Sequence, residues 1–368
     1  DGINCHDKGL GTIDENEIFG NVCNIEVRTD ARPTVRRNHI HHDTETGIRV
    51  YDEGKGTFEE NEIFGTANSA VEIKTGGDPV FMRNTIHDTL ALGVQVHSYG
   101  LGTFTDNFIF QTGKAAVNIM TWGFPTMTRN KVYNSQAQGF LVCDNGQGLM
   151  EENEVYHNKD AGIEIHTAGN PVFRNNVIRD GLLEGVFVKD SGIGLLESNQ
   201  IFNNAAAGVR VTNFGNSSFK DNKIYNGNER GVYVHSKGQG TFVENEIYAN
   251  KMAGVQVQTA ANPTVRKNMI HDGKDVGVIV DDEGRGIFIE NDIYGNALSG
   301  VRVQTRGNPN LKNNTIHDQK QRGVWVLNLG EGTFEENSIF GNAWAGVEIS
   351  TKGYPTLRYN TININMRE

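Results

Sequence analysis

Cys143, His166 and Lys189 follow one another at 23-residue intervals, with Glu164 two positions before the histidine and Asp144 and Asp190 each one position after a member of the series. A carboxylate, an imidazole and an amine converging on one surface could hold and move protons, the work of a general acid and base. They meet only if a step of 23 residues returns the chain to the same place. A second series, His41, His87, His271 and His317, recurs as IHD or IHH. Stacked on alternate coils, these rings would stand about 9.6 Å apart, twice the strand spacing. Ligands must come within about 2.0–2.1 Å of a shared zinc ion, so the column predicts no metal site. It predicts instead stacking against Phe64, Phe110 and Phe340, which hold the same position on intervening coils. Cys5, Cys23 and Cys143 have unrelated spacings, neither a zinc signature nor a disulfide framework, and mildly favour a reducing compartment. No cofactor is expected.

The elements that must position these groups are written as a repeat. An asparagine recurs at Asn16, Asn38, Asn61, Asn84, Asn107, Asn130, Asn153, Asn176, Asn199, Asn222, Asn245, Asn268, Asn291, Asn314, Asn337 and Asn360, every step after the first being 23 residues. Two residues after each stands Ile or Val, and three residues before each a bulky apolar residue such as Phe58, Phe81 or Met127. A second segment reads GIRVY at 47–51, AVEIK at 70–74 and GVQVH at 93–97. Apolar and polar residues alternate there, the signature of a strand with one buried face. Each coil thus carries at least two short strands, and since no coil can bury its apolar residues alone, stacking must supply the core.

This predicts an all-β fold, a right-handed parallel β-helix of about sixteen 23-residue coils spanning residues 1–368 as one domain. Handedness follows the rule for parallel crossovers. The asparagines are expected at turns, in left-handed geometry, their amides laddering from coil to coil. A leucine-rich repeat lacks its consensus here, and a propeller blade needs some 40 residues. Proline marks a double period: Pro33, Pro79, Pro125, Pro171, Pro263, Pro309 and Pro355 are 46 residues apart, except one gap where Ser217 stands in. Charge alternates too, Glu59-Glu60 and Glu335-Glu336 against Arg36-Arg37 and Arg266-Lys267, which would penalise a slip of one coil.

The phrases GTFEENEIFGT, GNPVFRNNVIRDG, GVYVHSKGQGTFVENEIYAN and NPTVRKNMIHDG resemble the β-helix region of the F-box only protein 11 family, also described as a carbohydrate-binding and sugar-hydrolase repeat domain. The resemblance spans essentially the whole chain. It implies a scaffold presenting protein substrates to a cullin-type ubiquitin ligase, with Skp1 engaged only through an F-box that these residues do not contain. The chain opens and closes in mid-coil, so a fragment lacking caps and flanking domains is expected.

The formal net charge of −11 argues against nucleic acid as a partner, and no apolar run approaches membrane-spanning length. One outward position of the GV strand reads Leu141, Phe187, Tyr233, Ile279 and Trp325, with Leu327 beside the last, while Trp122 and Phe124 stand in the turn TWGFP. Large apolar groups on a solvent face mark contact surfaces. The leading expectation is therefore a protein-recognition scaffold, cytoplasmic or nuclear, using these residues. The alternative is a carbohydrate-active β-helix, a lyase, hydrolase or epimerase, secreted and working through Glu164, His166 and Lys189. A structural spacer is the third reading.

Overall fold

The structure, a computed structural model, describes residues 1–366. It consists of strands and turns, with no helix among the described residues. The chain divides into two compact units, Asp1–Leu182 and a second beginning at Leu183.

Each coil contributes three strands, one more than the expected minimum of two. In the first unit one coil runs Ser69–Ile73, Val80–Met82 and Thr85–Thr89; in the second, Val232–Val234, Thr241–Val243 and Glu246–Tyr248. Equivalent strands of successive coils pair in parallel and in register, Val71 with Val94, Phe81 with Phe104 and Ile86 with Ile109. The second unit repeats this with Val232–Val255, Phe242–Val265 and Ile247–Ile270. Three parallel sheets result, called sheets 1, 2 and 3 in chain order. The architecture is a right-handed parallel β-solenoid of about sixteen turns.

One residue type at one position explains the packing. Val71 and Ile73 from sheet 1, Phe81 from sheet 2 and Ile86 from sheet 3 are fully buried, each worth roughly 1.5–3 kcal/mol. Identical positions stack, so Phe58, Phe81 and Phe104 form a column with ring centroids 4.4 and 5.0 Å apart. The outward column of sheet 3 does the same with mixed rings, as the spacing predicts: His41 lies 4.8 Å from Phe64, and His87 lies 5.0 Å from Phe110.

The repeated asparagine turns the corner between sheets 2 and 3. Asn61 Nδ2 donates to Val35 O at 2.9 Å and to Asn84 Oδ1 at 3.0 Å, and its backbone N–H donates to that same oxygen at 3.0 Å. The left-handed backbone, however, falls on the residue before the asparagine: Glu60, Arg83 and Glu152 have φ of 54°, 54° and 56°. That strain costs roughly 1–2 kcal/mol per residue. It puts the amide inward and the charged side chain outward, where Arg83 pairs with Glu59 and Glu60, and Arg129 with Asp106.

A second amide ladder lies five residues on, at the corner leading back to sheet 1. Asn296 Nδ2 donates to Gln319 Oε1 at 3.1 Å, and the Gln319 N–H donates to Asn342 Oδ1 at 3.1 Å. Ser135, Asn158 and Asn250 belong to it as well.

Candidate functional site

Outward side chains of sheet 1 carry most of the irregular chemistry, because its inward positions are fixed by the core. In the first unit a network forms around two carboxylates. Tyr51 Oη donates to Glu26 Oε1 at 2.9 Å, while Lys74 and His97 both reach Glu72 Oε1 at 3.2 Å and Arg49 Nε reaches Glu72 Oε2. Burial alone would raise the Glu72 carboxyl, but hydrogen bonds from His97 and Arg49 and the charges of Arg49 and Lys74 hold it at about 2. Each charge here is answered by a neighbour, which makes a structural clamp.

Of the predicted acid–base series, Cys143, Glu164 and His166 lie in the first unit and Lys189 in the second. His166 Nε2 stands 3.8 Å from Glu164 Oε1, beyond hydrogen-bonding reach, and its Nδ1 is 2.7 Å from Thr167 Oγ1. Glu164 Oε2 instead accepts from Gln138 at 2.8 Å. Cys143 is a buried free thiol, pushed up to about 11 by burial and then by the charges of Asp144 and Glu164. Asp144 and Asp190 serve left-handed turn positions, with φ of 46° and 45°. Lys189 belongs to the second unit, where its Nζ lies 5.0 Å over the Phe187 ring.

That second unit holds the arrangement best suited to chemistry. Tyr233 and His235 occupy successive outward positions of one strand end, their rings 4.4 Å apart and inclined by 24°. Arg210, one coil earlier, donates from Nε to His235 Nε2 at 3.0 Å and pairs through Nη1 with Glu184 at 2.9 Å. Arg230 lies 4.6 Å over the Tyr233 ring. Since Nε2 accepts, the ring proton sits on Nδ1, which faces Ser236 Oγ at 2.9 Å. Burial first, then Arg210 and Arg230, push the His235 imidazole down to about 4. Burial also raises the Tyr233 phenol, and Gln258 Nε2 donates to its oxygen at 2.6 Å. A neutral base, a protonated phenol and two fixed cations therefore share one surface.

The apolar column expected on this face is largely covered. Ile279 is only 4% exposed, packed among Ala253, Val276 and Leu298, and Leu327 is 9% exposed. Phe187 lies beneath Arg210 at 5.0 Å, Tyr233 beneath Arg230, and Trp325 beneath Arg322 at 4.3 Å. Trp325 also donates to Ser350 Oγ at 3.1 Å. Leu141 is half-buried between Asn118 and Glu164. Outward direction was legible, but arginines fold down over the column, Arg210 from the next coil and Arg230 and Arg322 from three residues earlier on the same coil, as arginine stems commonly do on apolar surface. Trp122 and Phe124 are open, 45% and 48% exposed, with Trp122 parallel to Tyr99 at 6.4 Å. Arg210 recurs in its column as Arg49 and Arg302, and His235 as His97 and His166, so the letters alone do not mark the site; the contacts of Arg210 with His235 and Glu184 depend on the 25- and 26-residue diagonals between coils, which column-wise reading skips.

Residues 1–128, 123–257 and 208–362 match the family model described as right handed beta helix region. No curated protein sequence matches the chain. Among solved structures it is similar to the A-module of the Azotobacter vinelandii mannuronan C-5 epimerase AlgE6, with 19% identity, a TM-score of 0.58, and 77% of this chain and 90% of that one covered. The AlgE4 A-module from the same organism gives 15% identity and a TM-score of 0.52, covering 79% and 90%. The catalytic unit of an α-1,3-glucanase from Streptomyces thermodiastaticus gives 13% identity and a TM-score of 0.50, covering 78% and 63%. At these identities the likeness is one of fold.

Proposed function

The chain belongs to the right-handed beta helix family, and from that premise we propose that it is a carbohydrate-active protein taking an acidic polysaccharide across sheet 1 of its second unit and cleaving it by elimination. Fold likeness carries no chemistry by itself; the reading rests on the side chains. The single observation behind it is the Arg210–His235 contact, a neutral imidazole capped by a guanidinium at 3.0 Å.

A uronate carboxylate entering this face competes with Glu184 and His235 for Arg210, and pairs bidentately with a guanidinium. Drawing Arg210 away frees His235 Nε2. Neutralising the carboxylate acidifies the adjacent C5–H, and Nε2 takes that proton. The C5–H electron pair forms the C4–C5 double bond as the C4–O4 bond breaks, and Tyr233 gives its proton to the departing O4. Proton return from the imidazolium to the tyrosinate restores both groups. Base and acid stand on one side of any chain laid here. That geometry suits elimination better than stereochemical inversion, which needs the proton returned on the opposite face. Hydrolysis needs two carboxyl groups about 5–9.5 Å apart across the bond, whereas the groups in contact here are an imidazole, a phenol and two guanidiniums.

The protein-recognition reading requires open apolar groups, and on this column they are covered; Trp122 and Phe124 are the exposed anchors left to it. Electrophoresis through gels loaded with a polyuronate or a neutral glucan tests the proposal. Retardation by the polyuronate alone, weakened about tenfold in Arg210→Gln, is expected, since a charge-assisted bond is worth about 1.5–3 kcal/mol. Equal mobility in both gels contradicts it.

A further inference from the structure

In the second unit, the turn between sheets 1 and 2 bears a groove of about 380 Å³ lined by Phe214, Lys237, Gln239, Ala260, Asn262 and Arg285. Two turn columns build it. Phe214, Lys237 and Ala260 are successive members of one, each in left-handed backbone with φ of 63°, 63° and 57°. Gln239, Asn262 and Arg285 are successive members of the other. Bulky residues fill the first column on either side, Phe214 and Lys237 before and Glu283 and Arg306 after, so Ala260 is what opens the dent.

Two features distinguish this groove from an ordinary surface hollow. Phe214 is 54% exposed with Lys237 Nζ 5.6 Å from its ring centroid, so an apolar face and a cation are presented together. Lys237 and Arg285 form no ion pair among the described residues, and the side-chain amides of Gln239 and Asn262 make no hydrogen bond there. On the coils that follow, the same columns are committed: Arg306 pairs with Glu283 at 3.4 Å, and the Asn308 amide donates to Glu331 at 3.1 Å. In a chain of net charge −11, two uncommitted cations and two uncommitted amides around one aromatic face define a ligand: a ring with an apolar face, an anionic substituent and hydroxyls at its rim.

We infer that this groove is a second binding site, for a carboxylated or sulfated pyranose, separate from the sheet 1 surface. The sugar's C–H face packs on Phe214, its anionic group lies between Lys237 and Arg285, and its hydroxyls meet Gln239 and Asn262. A hexose-sized unit fits a pocket of this volume with room for its neighbour. The inference rests on the saccharide reading of the chain but uses none of the residues assigned to elimination.

Calorimetric titration of the full-length His235→Gln chain, which cannot turn substrate over, tests it. The probes are a uronate trisaccharide, a sulfated trisaccharide, a neutral trisaccharide and inorganic sulfate. Two classes of site for the uronate probe are expected, one of them lost, at least tenfold weaker, in K237Q/R285Q and in F214A. Stronger binding of the uronate or of the sulfated probe at that class identifies the anionic group. Loss of the other class with the groove class intact would refute the sheet 1 reading while leaving the groove standing. Uronate titrations unchanged by K237Q/R285Q and F214A overturn the inference, as does sulfate binding as tightly as either charged trisaccharide, or the neutral trisaccharide binding equally well. Circular dichroism of each variant confirms that the solenoid is intact.

Discussion

Asn176 Oδ1 accepts two hydrogen bonds from Asn153 directly across one coil, from the backbone N–H at 2.8 Å and from Nδ2 at 3.0 Å. A 23-residue step thus returns the chain to the same corner, one strand spacing along. Everything the sequence displays in columns is a column in space for that reason.

Replacing Asn153 by Ala removes the acceptor for the Asn130 N–H and Nδ2 and the donor to Met127 O. Buried groups left unpaired cost about 1–3 kcal/mol each, so a loss of about 2–4 kcal/mol is expected. A lower urea midpoint together with faster hydrogen exchange at the Asn130 amide would show it. An unchanged midpoint would mean the ladder is decoration.

Asp43 holds the position in the second ladder that Asn158 and Asn250 hold elsewhere. It is 5% exposed, and neither carboxylate oxygen completes a hydrogen bond. Burial pushes its pKa from 3.8 to about 6, against a smaller pull from the Ala67 amide. A raised folded value means the neutral form is favoured on folding. The stability it contributes is present below pH 3.8 and is lost as pH rises through about 6. Asp43→Asn is therefore expected to raise stability at pH 7 by about 1–3 kcal/mol and to flatten the pH profile between 4 and 6. Equal melting temperatures at pH 7 would count against it.

The base in the proposed elimination must be neutral, and His235 titrates at about 4 rather than 6.5. The acid limb of kcat/KM is expected near pH 4. In Arg210→Gln one of the charges that suppress protonation is gone, and the limb moves upward toward 6.5. A limb at 6.5 in the unaltered chain would mean that His235 is not the base.

Coil number, register and core were legible because every 23 residues the same burial problem has the same solution. Phe81 and Phe104 must be large because their neighbours are. The backbone strain was legible only as a turn: Asn61 shows in the pattern, whereas the left-handed residue is Glu60, whose side chain points outward and varies freely. The second ladder was hidden because Thr66, Ser135, Gly227 and Asn250 all occupy it, and any small or amide-bearing residue fits. The candidate site was least legible. Arg210 and Tyr233 share one column and His235 lies two residues along the strand, so its contact with Arg210 runs diagonally between coils and depends on side-chain length, which spacing does not encode.

The most direct test of the central claim is the mass of the ends released when the full-length chain is incubated with a polyuronate. Elimination predicts new non-reducing ends one water lighter than a hydrolytic cut would leave, formed by the unaltered chain and absent with His235→Gln. Ends of hydrolytic mass, or a polymer unchanged in length, would contradict the account.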